Sequence, residues 1–169
     1  MAQVMSQPLS DRINNLPISQ TLAMAAKARE LREQGKDIIS LSLGEPDFNT
    51  PDFIKDAAIQ AINDNYNSYT PVNGYGELRE AICRKFKRDN NLDYNINQIV
   101  VSTGAKQSIA NVAMVLLNPG DEVILPAPYW VSYSEIVRIC SATPVFVDTT
   151  EESGFKISPE QLKKAITPK

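Results

Sequence analysis

Short apolar runs alternate with stretches of helical period along the 169 residues. Thr21 to Gln34 is rich in Ala, Leu, Arg and Glu, and Gly35 follows as a stop, which predicts a helix. Ile38 to Leu43 alternates as a strand and runs into Gly44-Glu45-Pro46-Asp47. Thr50 reads as an N-cap with Pro51 at the first helical position, and Ile54, Ala57, Ala58, Ala61 and Ile62 then mark one helical face. After the turn cluster Asn73-Gly74-Tyr75-Gly76, the residues Leu78, Ala81, Ile82 and Phe86 mark another. Ile99 to Ser102 reads as a strand that stops at Gly104, and a helix face of Ile109, Val112, Ala113, Leu116 and Leu117 begins at once. Glu122 to Leu125 and Pro144 to Val147 are further strands, with Val131 to Cys140 helical between them. Ser158-Pro159-Glu160 opens a last helix by the same capping logic.

Strands joined by helices predict an α/β fold with a largely parallel sheet. Ligands in such sheets sit beyond the carboxyl ends of the strands, and Gly104 and Pro128 both follow strand ends. From Ile99 onward about three strands are visible, fewer than a typical sheet holds. The expectation is the first part of a larger fold.

Composition narrows the chemistry. With 43% hydrophobic and 22% charged residues the chain has the make-up of a globular protein. A net charge of −3, with bases scattered among acids, gives no support for nucleic acid or acidic membrane surfaces as partners. No apolar run reaches the roughly 20 residues that span a bilayer. The polar N-terminus lacks a signal-peptide stretch, and a cytoplasmic location is expected. Cys83 and Cys140 fall on apparent apolar helix faces and read as buried free thiols. The chain has no His, which removes the commonest general base and metal ligand, and no Cys/His cluster for zinc.

Four segments carry candidate chemistry. A strand that turns directly into a helix leaves the first helical N–H groups unpaired at an end with partial positive charge. Ser102-Thr103-Gly104-Ala105-Lys106 therefore fits two readings, a phosphate cradle or a tight turn with Lys106 in solvent. It is not a P-loop, and Arg79 stands where a dinucleotide fingerprint starting at Gly74 needs its third Gly. Trp130, the only Trp, follows a strand end within Pro126-Ala127-Pro128-Tyr129-Trp130 and could stack on a planar heterocycle or pack in a core or interface. Gly44 could let a ligand carboxylate approach the backbone or simply turn the chain. Tyr69 offers a phenol beside a turn, with surface packing as the alternative. No nucleophile with a base beside it is visible.

Taken in order, five segments resemble the class I, fold type I aminotransferases that use pyridoxal 5′-phosphate (PLP). They are Leu43-Gly44-Glu45-Pro46-Asp47-Phe48-Asn49-Thr50-Pro51, Tyr69-Thr70-Pro71 with Gly74 and Glu77-Leu78-Arg79, Thr103-Gly104-Ala105-Lys106-Gln107, Asn118-Pro119-Gly120-Asp121-Glu122-Val123, and Pro128-Tyr129-Trp130-Val131-Ser132-Tyr133. The bacterial aspartate aminotransferase branch is the nearest match, and the resemblance covers nearly the whole chain. It implies the PLP-dependent transferase fold type I, incomplete here, with residues 1–45 as an N-terminal arm and part of a small domain. Residues 46–169 would be the first part of the large, PLP-binding domain.

The resemblance also implies roles. Gly104, Ala105 and Lys106 match the segment that holds the PLP phosphate. Trp130 matches the aromatic that stacks on the pyridine ring and shapes the substrate site. Gly44 matches the glycine lining the substrate carboxylate site. Tyr69 matches the tyrosine that reaches the phosphate of the neighbouring subunit, so a homodimer of the full-length protein is implied. The reaction implied is transfer of an amino group between L-aspartate and 2-oxoglutarate. Relatives that also use prephenate carry a lysine in the N-terminal arm, where this chain has Leu16.

The family's Schiff-base lysine, its pyridine-facing Asp, its Pro-Asn-Asn-Pro-type Asn and its carboxylate-gripping Arg have no counterpart through Lys169. Lys106 does not take the lysine's place, because the family motif has an Arg shortly after it and Gln107 to Leu116 contains none. The expectation is an N-terminal portion without activity of its own. The alternative is a non-catalytic remnant that binds PLP or another phosphate, or serves as an interaction module.

Overall fold

The structure, a computed structural model, describes residues 9–169. In chain order the elements are α1 (Asp11–Asn14), α2 (Gln20–Glu33), α3 (Asp52–Asn63), α4 (Gly76–Asn90), a 3-10 turn (Ile96–Gln98), α5 (Ala105–Leu116), β1 (Glu122–Ala127), α6 (Ser132–Ile139), β2 (Thr143–Asp148) and α7 (Pro159–Ala165). They form two compact units, one of residues 9–27 and 104–169 and one of residues 28–103.

In the first unit β1 and β2 pair in parallel, from Glu122 opposite Thr143 to Ala127 opposite Asp148. Parallel neighbours need a crossover, and α6 supplies it. Helix α6 buries Ser134, Ile136 and Val137, and with Ala142 these make the centre of the unit. Helix α5 packs on α6, and α7 packs on β2. The start of α7 is a closed capping box. Gln161 N–H donates to Ser158 Oγ at 3.1 Å, and Ser158 N–H donates to Gln161 Oε1 at 2.9 Å. An apolar groove of about 340 Å³ opens between α5, β1 and α6, lined by Ile109, Val112, Leu116, Val123, Leu125 and Val137. Val112, Met114, Val115 and Leu116 of α5 are exposed.

In the second unit Arg79 Nη1 donates to Ile96 O at 3.1 Å, which ties α4 to the 3-10 turn. The rings of Phe86 and Tyr94 meet at 5.6 Å beside it. Helix α4 ends on Asn91 in the left-handed region, and Leu92 N–H reaches back to Phe86 O at 3.1 Å. Ile99 is buried. Gly74 takes φ +97°, and Val101 N–H donates to Asn73 O at 3.1 Å.

Three local readings change. Ile38 to Leu43 and Ile99 to Ser102 are extended segments rather than strands, because among the described residues no neighbour forms a ladder with either. Helix α3 begins at Asp52, one residue later than a Thr50 cap implies, since Pro51 has the extended ψ of 142° and is itself the N-cap. Both cysteines are free, as expected, but half-buried rather than buried, and Cys140 is the C-cap of α6.

Candidate functional site

The start of α5 is built by a backbone that only glycine adopts easily. Gly104 has φ 84° and ψ 162° and is the N-cap, with no side chain to close the helix end. A Cβ at Gly104 would meet open space, so the constraint there is dihedral rather than steric. Gln107 and Ser108 N–H donate to Gly104 O at 3.1 and 3.3 Å. The N–H groups of Ala105 and Lys106 come before that first closed turn and lie outside the helix ladder, at the positive end of the helix.

Trp130 stands just past β1, after a cis Ala127–Pro128 peptide. Its N-terminal side is tied to β2. Thr149 N–H and Thr149 Oγ1–H both donate to Ala127 O, at 3.0 and 2.5 Å. The Tyr129 ring stacks on Phe146 at 5.3 Å with 8° between planes. Its C-terminal side enters α6, where Tyr133 N–H donates to Trp130 O at 2.9 Å. The Trp130 residue is 46% exposed. Lys106 Nζ lies 5.8 Å from the centroid of the Trp130 ring, a cation–π contact. The structure thus brings Gly104, Ala105, Lys106 and Trp130 together in the first unit.

A cavity of about 620 Å³ adjoins them, lined by residues 17–20, Lys106, Tyr129, Glu135 and Arg138 among others. Glu135 Oε1 accepts from Ser134 Oγ at 3.0 Å and from Arg138 Nη1. Its second oxygen, Oε2, is buried without a hydrogen bond among the described residues. Tyr129, Glu135, Arg138, Phe146 and Thr149 are not among the candidate site residues that the sequence predicts. The opposite charges at Glu135 and Arg138, three apart on a helix, were the one visible signal.

Gly44 and Tyr69 belong to the second unit and lie on its exposed surface. No atom falls within 4 Å of a Cβ built on Gly44, so the backbone there is open to a ligand. Among the described residues no cluster of His, Cys, Asp or Glu could hold a metal ion, and no helix is long and apolar enough to cross a membrane.

A family model described as aminotransferase class I and II matches residues 36–169. A probable aspartate/prephenate aminotransferase of Rhizobium leguminosarum bv. phaseoli is 55% identical over 161 residues, which are 95% of this chain and 40% of the relative. The aspartate aminotransferase of Bacillus subtilis (strain 168) is 52% identical over 161 residues, 95% of this chain and 41% of its own length. The solved aspartate aminotransferase from Thermus thermophilus with maleate superposes with a TM-score of 0.92 at 45% identity, covering 96% of this chain and 43% of that one. The chain spans about 40% of the length of the curated relatives it matches.

Proposed function

From the premise that the chain belongs to the class I and II aminotransferase family, we propose that it holds the phosphate and ring of PLP for an aspartate-type aminotransferase. The fold is that of the solved aspartate aminotransferases, present in part. The observation that carries the reading is Lys106 Nζ at 5.8 Å over Trp130, beside the open start of α5. A phosphate ester on a flat heteroaromatic ring needs an anion site and a stacking face next to each other, and the residues present fit that group. When bound, PLP supplies the electron sink that lets an amino acid and a 2-oxo acid exchange an amino group.

The chain's own residues do the holding. The N–H groups of Ala105 and Lys106 and the Lys106 ammonium bind the phosphate, and Gly104 keeps the helix end free of a side chain. Trp130 offers the ring a face and orients it. Gly44 receives the substrate carboxylate against bare backbone. Tyr69, fully exposed, serves the phosphate of a second subunit, which makes the whole protein a homodimer. L-aspartate and 2-oxoglutarate are the substrate pair we infer. Leu16 in place of the arm lysine favours aspartate over prephenate. The domain division that goes with this reading puts the arm and part of a small domain in residues 1–45 and the start of the PLP-binding domain in 46–169. A cytoplasmic site of action accompanies it.

The test is binding of pyridoxine 5′-phosphate, which lacks the aldehyde and so cannot bond to surface lysines. Titrated into the purified chain, it should quench Trp130 emission and bind more weakly in Lys106→Gln and in Gly104→Val. Equal binding by all three proteins sinks the proposal. Supplied with PLP, aspartate and 2-oxoglutarate, these 169 residues should form no oxaloacetate, and measurable turnover would overturn that part of the reading.

A further inference from the structure

Among the described residues the Trp130 ring stacks on no other aromatic ring, and Lys106 Nζ lies 5.8 Å from its centroid, so the backbone that carries it is a main determinant of its attitude. That backbone is fixed on its N-terminal side by two residues of, or next to, β2. Thr149 directs two donors at one carbonyl, Ala127 O, at 3.0 and 2.5 Å. Phe146 lies flat under Tyr129 at 5.3 Å, one residue before Trp130. The two contacts fall on either side of Pro128 and grip the connection before the tryptophan. Register brings them there, since Ala127 opposes Asp148 and Leu125 opposes Phe146. Without them the segment 128–130 would be held only by its chain connections to the end of β1 and the start of α6.

We infer that Thr149 and Phe146 are positioning residues for Trp130. They clamp the Pro128-Tyr129 step to the end of β2 and so set the plane that the tryptophan presents. The part of this inference that concerns a stacked ring rests on the PLP reading above; the part that concerns Trp130 itself does not.

The experiment exploits Trp130 as the only tryptophan among the 169 residues. Emission anisotropy and acrylamide quenching are measured on the chain without ligand, after subtraction of the Trp130→Phe signal. The variants are Thr149→Val, which removes the hydroxyl donor and keeps the backbone bond, and Phe146→Leu, which removes the ring and keeps an apolar side chain. Thr149→Ser and Phe146→Tyr are the conservative restorations. All are compared where circular dichroism shows each variant folded. Thr149→Val and Phe146→Leu should lower the anisotropy and raise the quenching constant, by up to about twofold because the residue is already 46% exposed. The Ser and Tyr variants should match the parent.

Unchanged anisotropy and quenching in Thr149→Val overturns the inference, and this variant decides alone if Phe146→Leu does not fold. Equal loosening in Ser and Tyr variants also overturns it, since the change would then be general packing. A second arm measures pyridoxine 5′-phosphate binding. A loosened Trp130 with undiminished binding keeps the positioning role and refutes the stacking role of the ring.

Discussion

A Cβ built on Gly74 would stand 2.6 Å from Cγ2 of Val101. The turn that carries Gly74 and the extended segment that carries Val101 are therefore in contact at a point with no room for a methyl group. Gly74 also has φ +97°, where an L side chain is strained. Gly74→Ala should lower the unfolding free energy by about 2–4 kcal/mol, from dihedral strain plus overpacking. Urea denaturation checks this. Val101→Ala combined with Gly74→Ala should recover the packing share and leave the strain, so the double variant falls between the parent and the single variant.

The Lys106–Trp130 contact is half open to water, so its charge is screened by salt. Affinity for pyridoxine 5′-phosphate should fall as sodium chloride rises. Lys106→Gln should bind about tenfold more weakly at low salt, and its salt dependence should be flatter. Parallel slopes for the two proteins would mean that the ammonium does not meet the phosphate.

Ser158→Ala removes the acceptor at the start of α7 and orphans the Gln161 N–H. The expected loss is about 1 kcal/mol of stability. Gln161 Nε2 also donates to Asp148 O at 3.0 Å, which fastens α7 to the end of β2. Gln161→Ala should therefore cost more than Ser158→Ala in the same thermal or urea measurement, and the reverse order would contradict the arrangement.

Asp89 is held well below the usual carboxylate range by the Arg88 guanidinium that donates to it, with Lys85 as a second partner. A carboxyl whose folded pKa is depressed adds stability that is fully present above its unfolded value near ~3.9. That stability is lost as pH falls through the folded value. Asp89→Asn should thus flatten the acid side of the stability curve and leave stability unchanged in its pH slope near neutrality. A parent and variant that lose stability in parallel below pH ~4 would disprove the link.

Much of this architecture is written in local pattern. The helix-period faces at Ile54 to Ile62 and Leu78 to Phe86 sit on observed helices, that of Ile109 to Leu117 does so up to Leu116, with Leu117 the extended C-cap, and Ser158-Pro159-Glu160 opens α7 as its capping chemistry demands. Glu122 to Leu125 and Pro144 to Val147 lie inside β1 and β2. Ile38 to Leu43 and Ile99 to Ser102 have the same β-rich look without becoming strands. A strand exists only by its neighbour, and the Val101 N–H is spent on the Asn73 carbonyl of a turn. Helix α1 is a single turn, too short for any period to show. The cluster at Gly104 and Trp130 was legible from motif order. The clamp of Phe146 and Thr149 was not, because it arises from strand register, which pairs Ala127 with Thr149 and Tyr129 with Phe146 across the crossover helix rather than by local spacing.

Helix α5 has a consequence for handling the chain. A helix that is nonpolar most of the way round belongs in an interior, yet Val112, Met114, Val115 and Leu116 face water here. Only three net negative charges oppose the approach of a second molecule. The chain's behaviour as a colloid is thus set by this helix together with other exposed apolar side chains such as Leu41, Phe48 and Phe53. Its solubility should improve as alkaline pH adds charge and worsen with salting-out anions, before any change in its folded state is detectable.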